Sequence, residues 1–237
     1  MNTQQHIAER LATEKQAFQH EKISRMWEIF EVSPDEILEL RAIWPKTPGP
    51  TKRNLTRHFR RKDYKSNDEC CLAFQCAALS LNQQGYNIYI VMNKIRPNFC
   101  GRAAKDLDII MRRLLLLDID RVIDTKNPSS NEELNASKEI ATNIHNFTDE
   151  LRWPKPHVVM SGNGYHLYYR IADFTPNETT DDLIRRTLSN LSTVFSTDHI
   201  KVDTTVSNLS RITKVPGTIA RKGTESPGRL YREAQVL

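Results

Sequence analysis

LLLLDID, residues Leu114 to Asp120, decides how this chain is read. Four consecutive leucines are too short for an independent helix and long enough for a strand buried on both faces. The run then stops at two carboxylates. Side chains alternate along a strand, so Asp118 and Asp120 project from one face. Two carboxylates on one face repel each other unless a cation lies between them. An oxygen-only ligand set suits Mg²⁺ or Mn²⁺, which commonly take one or two carboxylates and leave their other positions to water and phosphate. Taken alone, the same residues also describe a strand running out into a polar turn.

Two further segments bear on that choice. HVVM (His157 to Met160) and LYYRI (Leu167 to Ile171) have strand patterns, and Ser161-Gly162-Asn163-Gly164 between them predicts a hairpin whose glycines let a ligand approach the backbone. His166 follows that turn. An imidazole beside exposed N–H groups and the Ser161 hydroxyl suits a phosphate, although an ordinary glycine-rich hairpin would read alike. The third segment, IKVD, ends a short β-branched stretch at Asp203. Arg211, Lys214, Arg221 and Lys222 come after it, and Pro216 and Gly217 prevent them from forming a simple helical face. Arginine grips phosphate bidentately and lysine acts as a point charge, so cations near a third acid meet the needs of a triphosphate. A solvated basic loop is the competing account.

The order DxD, SGxGxH, then hydrophobic-Asp followed by NLSRITKVPGT and RKG resembles the archaeo-eukaryotic primase superfamily, in particular the primase-polymerases of phages, plasmids and other mobile elements. The resemblance runs over about residues 87 to 223. It implies that Asp118, Asp120 and Asp203 bind two divalent ions, Mg²⁺ or Mn²⁺. It implies that Ser161 and His166 contact the triphosphate while Asn163 and Gly164 shape the turn, and that Arg211, Lys214 and either Arg221 or Lys222 hold the incoming nucleotide. Some family members have a basic residue two positions before the motif serine; here that position is Val159. The implied activity is template-dependent nucleotidyl transfer on single-stranded DNA with NTP or dNTP substrates, by a two-metal mechanism with ions about 3.5–4 Å apart. Asp118, Asp120, Asp203 and His166 would be the catalytic set. Such proteins often continue into helicase or primer-related domains, so a helicase is an implied partner. A non-catalytic replication-initiation module that binds DNA and a metal-dependent nuclease are the alternatives. The turn and the cations after Asp203 favour a bound triphosphate over a nuclease, because diester hydrolysis has no triphosphate to hold.

Composition is compatible with a polyanionic partner. The chain has 237 residues, with 34 Lys and Arg against 29 Asp and Glu, a net charge of +5. The distribution says more than the total: TKRNLTRHFRRKDYK, from Thr51 to Lys65, interleaves cations with His58, Phe59 and Tyr64. Such a stretch suits single-stranded nucleic acid; the alternative is a solvated loop with Phe59 tucked into the core. Cys70, Cys71, Cys76 and Cys100 lack paired CxxC spacing, so no zinc site is expected, and they read as buried small apolar residues. No apolar stretch approaches the about 18 residues of a membrane span, and no signal peptide is visible, so a cytoplasmic protein without a membrane partner is expected.

The fold class expected is α+β. Residues 2 to 43 have a helical pattern around the helix-starting SPDE, with Ile29, Phe30, Ile37, Leu38, Leu40 and Ile43 as anchors, giving an N-terminal helical extension over 1–45. Pro45 to Lys65 reads as a loop leading into a catalytic domain over 46–237. Helices are predicted at Asn67–Asn82, from the Ser130/Glu133 capping box to Trp153, and at Thr180–Ser196 with Leu183, Ile184, Leu188, Leu191 and Phe195 inward. A strand is predicted at Asn87–Met92, then a long polar loop in which Asn93, Arg96, Asp106 and Asp108 border the nucleotide pocket. Asp106 and Asp108 form a rival metal pair, ranked lower because no buried strand run precedes them. A mixed or antiparallel sheet would present all three motifs on one face. The resemblance implies an RRM-like catalytic sheet with a second α/β unit.

Overall fold

The structure, a computed structural model, describes residues 17–46 and 49–237. Residues 17–24 are helical (α1) and lead through a short 3-10 helix, Arg25–Glu28, to β1 (Ile37–Ile43) and β2 (Leu55–Arg60). Then come α2 (Asn67–Gln83), β3 (Asn87–Val91), β4 (Lys94–Ile95), β5 (Ile109–Arg121) and α3 (Asn131–Glu150). The remainder comprises β6 (His157–Met160), β7 (Tyr165–Phe174), α4 (Glu178–Phe195), β8 (Ile200–Val202), β9 (Ile212–Lys214), β10 (Ile219–Ala220), β11 (Arg232–Glu233) and β12 (Gln235–Val236).

Two main sheets form from these strands, β10 and β11 pair separately as a two-stranded ladder, and every strand pair among the described residues is antiparallel. One has the order β2-β1-β3-β9 and carries α2; the other runs β12-β6-β7-β5-β4, with β8 also paired to β5, and carries α3 and α4. The expected α+β architecture of antiparallel sheet and covering helices is therefore present. Leu114 to Leu117 lie within the 13-residue β5 and are all buried, as a strand covered on both faces requires. The start of α3 is fixed by the expected capping box, Ser130 Oγ accepting from the Glu133 N–H and Glu133 Oε2 accepting from the Ser130 N–H.

Several sequence expectations are corrected. Ile37, Leu38, Leu40 and Ile43 belong to β1, not to a helix: hydrogen bonding to β2 on one edge and β3 on the other overrides the modest helix preference of ILELRAI. SPDE closes a turn, with the Glu36 N–H donating to the Ser33 carbonyl. The segment expected as a loop from Pro45 to Lys65 contains β2, whose pairing with β1 runs from Ile37 opposite Arg60 to Ala42 opposite Leu55. The boundary expected at residue 45 thus falls between two paired strands, while the part of the extension before residue 17 lies outside the described residues. Leu183 and Leu151 are exposed, whereas Ile184, Leu188, Leu191 and Ile144 are buried. Of the cysteines, Cys70 is buried, but Cys76 and Cys100 are exposed. One apolar core runs from Ile23 and Met26 through Leu40, Phe74, Leu117 and Tyr168 to Val236, joining the two sheets. Among the described residues no helix is long and apolar enough to cross a membrane.

Candidate active site

Strand alternation and register gather the three motifs. Asp118 and Asp120 share one face of β5 with Leu116, and all three line a cavity of about 790 Å³ whose walls come from both sheets. His166 on β7 lies directly opposite Asp118, its Nε2 3.4 Å from Asp118 Oδ1. On the other edge of β5, β8 pairs Ile119 with Val202, and the Asp203 N–H donates to the Asp118 carbonyl over 2.8 Å. Residues opposed across an antiparallel pair share a face, so Asp203 stands beside Asp118. Its carboxylate, however, accepts the Thr205 N–H at 2.9 Å and caps the short helix Thr204–Ser207, and Asp203 does not line the cavity.

The turn between β6 and β7 is held tightly against β5. At Gly164 a Cβ would fall 2.2 Å from the Ile119 carbonyl oxygen, so glycine is required by close approach. Gly162 adopts φ +101°, a left-handed conformation open to glycine, and lies against Ala220. The Ser161 hydroxyl closes the turn on itself, accepting the Gly164 N–H at 3.2 Å. Asn163 Oδ1 accepts the Ser129 N–H, anchoring the turn to the segment before α3. Ser161 and Asn163 both line the cavity.

Facing the acids across this space are Arg211, Lys214, Arg221 and Lys222. Lys222 Nζ is 3.5 Å from Asp120 Oδ2. Arg211 Nε and Arg221 Nη1 are buried without a hydrogen-bond partner among the described residues, as are the Nε atoms of Arg96, Arg112 and Arg121 outside this cavity. Orphaned buried donors are costly and call for an acceptor. Lys214 is almost fully buried, donates from Nζ to the Ile219 carbonyl at 3.0 Å and lies 5.6 Å from the centre of the Tyr89 ring. Burial, with Arg221 nearby adding to it, pushes its pKa down to about 7. Arg221 is lowered as well, chiefly by burial.

The carboxylates are driven in opposite directions. Burial works to raise Asp118, but His166, by charge and by hydrogen bond, and the charges of Arg211 and Lys222 outweigh it, so Asp118 is held below the usual carboxylate range. Burial raises Asp120, with the charge on Asp118 adding to it and Lys222 opposing it. A pair in which one ionised group penalises the other is relieved by a positive charge between them, and oxygen donors of this kind fit Mg²⁺ or Mn²⁺. Asp118 and Asp120 therefore fit a divalent cation by donor chemistry. Among the described residues, no group of three or more His, Cys, Asp or Glu side chains is assembled to hold a metal.

Asp106 and Asp108 do not act as a pair. Asp106 Oδ1 accepts from the Ser210 N–H and hydroxyl, while Asp108 binds Arg96 at 2.7 Å. Neither borders the acid-lined cavity, nor do Asn93 and Arg96; Asn93 is buried and bonded to the Leu209 carbonyl. Phe59 is in the core, so the aromatic ring at the centre of the Thr51–Lys65 stretch faces inward.

Other residues that build the site gave little sign of it in the sequence. Tyr168 Oη lies 2.9 Å from His166 Nδ1 and also contacts Thr213 Oγ1, fixing the imidazole from behind. Asn82 and Asn87 each use both ends of the amide to hold the cation-bearing segment: Asn82 bonds the Ile219 carbonyl and N–H, and Asn87 those of Arg221. The alternation of HLYY does place Tyr168 on the face of His166, but nothing local links Asn82 or Asn87 to residues more than a hundred positions away.

No protein-family model matches the chain, and no curated protein matches it. Among solved structures it is similar to the polymerase domain from Mycobacterium tuberculosis Ligase D in complex with DNA, with a TM-score of 0.50 and 15% sequence identity over 87% of this chain and 77% of that one. What the chain shares with that polymerase domain is its fold.

Proposed function

We propose that this protein is a template-dependent nucleotidyltransferase, a primase or polymerase that joins NTP or dNTP units on single-stranded DNA. The observation that carries this reading is the opposition, within one cavity, of the Asp118–Asp120 pair and four cations, two of which have buried donors without acceptors. A nucleoside triphosphate answers both halves. Its phosphate oxygens would complete the donors of Arg211 and Arg221, and its charge would draw a proton back onto Lys214. His166, held by Tyr168, would orient the phosphates beside Asp118, so that binding energy is used to align the attack. Asp118 and Asp120, joined by Asp203 once its carboxylate leaves the Thr205 N–H, would hold Mg²⁺ or Mn²⁺, which supplies charge neutralisation at the transferring phosphate when bound. Likeness in fold to a polymerase domain solved with DNA supports nucleic acid as the partner.

The capping bond of Asp203 favours a second reading, a replication-initiation module that binds DNA without catalysis. Incubation with a single-stranded template, Mg²⁺ or Mn²⁺ and labelled NTPs or dNTPs, with and without a primer, separates the two. Products without primer identify priming, and extension alone identifies a polymerase. DNA binding with no incorporation under any of these conditions would replace the first reading by the second.

A further inference from the structure

A second cleft opens beside the acid-lined cavity. It encloses about 690 Å³ between the β1–β2 hairpin and the segment from Arg96 to Asp108. Ile43 and Asn54 line both spaces, so the two adjoin at these residues. Four cations, Arg41, Arg96, Arg102 and Lys105, face a single carboxylate, Asp108.

The cleft is built to persist without a ligand. Glu39 is fully buried beneath it and accepts hydrogen bonds from His58 Nε2 and the Ala104 N–H, both at 2.8 Å, and from Arg41. Arg41 Nη2 in turn donates to the Ala104 carbonyl at 2.8 Å, and Arg60 donates to the Phe99 carbonyl. The strand wall is thereby tied to the loop wall at several points. Such preorganisation lowers the cost of binding.

Charge and shape then point to the occupant. Arg96 is paired with Asp108 and Arg41 with Glu39, but Arg102 and Lys105 are exposed and have no carboxylate partner among the described residues. Leu107, 76% exposed, and the half-buried Leu55 give the same cleft an apolar lining. A small anion would have no use for that apolar surface, and a duplex is too wide for a space of this size. A single strand offers phosphates to the cations and base faces to the leucines.

We propose that single-stranded DNA passes from the acid-lined cavity over Ile43 and Asn54 into this cleft, its phosphates against Arg102 and Lys105 and its bases against Leu55 and Leu107. This proposal rests on the nucleotidyl-transfer reading of the acid-lined cavity. Because no exposed aromatic ring lines the cleft, binding there is mainly electrostatic and falls steeply with salt.

The test is fluorescence anisotropy of the full chain with a labelled oligo(dT) of about 20 nucleotides, longer than the about 4–16 nucleotides that single-strand sites commonly span. Arg102→Gln/Lys105→Gln is expected to weaken binding about tenfold or more and to lower the slope of log K against log salt by about 1.4, two phosphate contacts at about 0.7 each. Affinity for dNTP, measured by calorimetry, should not change, and an unchanged melting temperature shows that the variant is folded. As a second measurement, p-benzoylphenylalanine in place of Leu107 should cross-link to the oligonucleotide. Unchanged oligonucleotide affinity and slope in the double variant, or no cross-link, would overturn the proposal. Primer extension run in parallel separates the two readings. A wild-type protein that incorporates no nucleotide, with oligonucleotide binding lost in the variant, removes nucleotidyl transfer and keeps the cleft. Incorporation with unchanged template KM and affinity in the variant does the reverse.

Discussion

Lys214 shows how much a single side chain can report. Its value of about 7 in the folded protein lies far below the about 10.4 of an exposed lysine. Between those two pH values the unfolded chain binds the proton and the folded chain does not, so stability rises with pH from about 7 toward 10. Urea midpoints should therefore increase across that range for the wild type and flatten in Lys214→Met. Tripolyphosphate binding at pH 8 should take up as much as one proton, read from calorimetry in buffers of different ionisation enthalpy; no uptake would deny Lys214 a place at the anion. Asp118→Asn should separate two effects. Removing one negative charge from a cavity rich in cations should tighten tripolyphosphate binding several-fold in metal-free buffer, while nucleotide incorporation falls by about a hundredfold or more. Equal incorporation by the variant would remove Asp118 from the chemistry. The alternation of DID placed Asp118 and Asp120 on one face, and the structure agrees because a strand leaves no other choice. That Asp203 spends a carboxylate oxygen on Thr205 was not legible, since capping depends on the turn that follows the strand.

At the level of elements, the β6–β7 turn is the tightest joint in the site. Gly164→Ala would drive a Cβ toward the Ile119 carbonyl, a backbone atom that cannot rotate away. The cost should be about 1–3 kcal/mol, as for overpacking elsewhere. A lowered thermal midpoint, together with weaker nucleotide binding, is the expected result; a midpoint equal to wild type would show that the turn has slack. The hairpin was legible because SGNG between two apolar runs is strong local chemistry, and α2, α3 and α4 were legible from period and caps. β1 was not. ILELRAI suits a helix locally, and it becomes a strand because the pairing of β2 and β3 along its edges supplies what its own sequence does not. The same limit hid the pinning of the 219–221 segment by Asn82 and Asn87, which exists only after the sheet has formed.

For the whole molecule, the decisive fact is that one core joins both sheets, with residues on either side of position 45 contributing to it. Unfolding in urea should accordingly be a single transition, with far-UV dichroism and tryptophan fluorescence sharing one midpoint. Trp27 and Trp44 sit with the smaller sheet and Trp153 packs on Tyr169 of the larger one, so separated midpoints would expose two independent units. The continuity of β5 from Ile109 to Arg121 also gives that strand a metrical role. From Ile109, next to Asp108 of the second cleft, to Asp118 there are nine residue-to-residue steps along one strand, at most roughly 30 Å at about 3.3 Å per step. The irregular register between Arg112 and Leu114 bends that path and shortens it. β5 is in effect a fixed ruler between the carboxylates of the two openings: it sets the shortest ligand that can reach Asp108 and Asp118 at once, so discrimination by length is written into a strand whose composition says nothing about length.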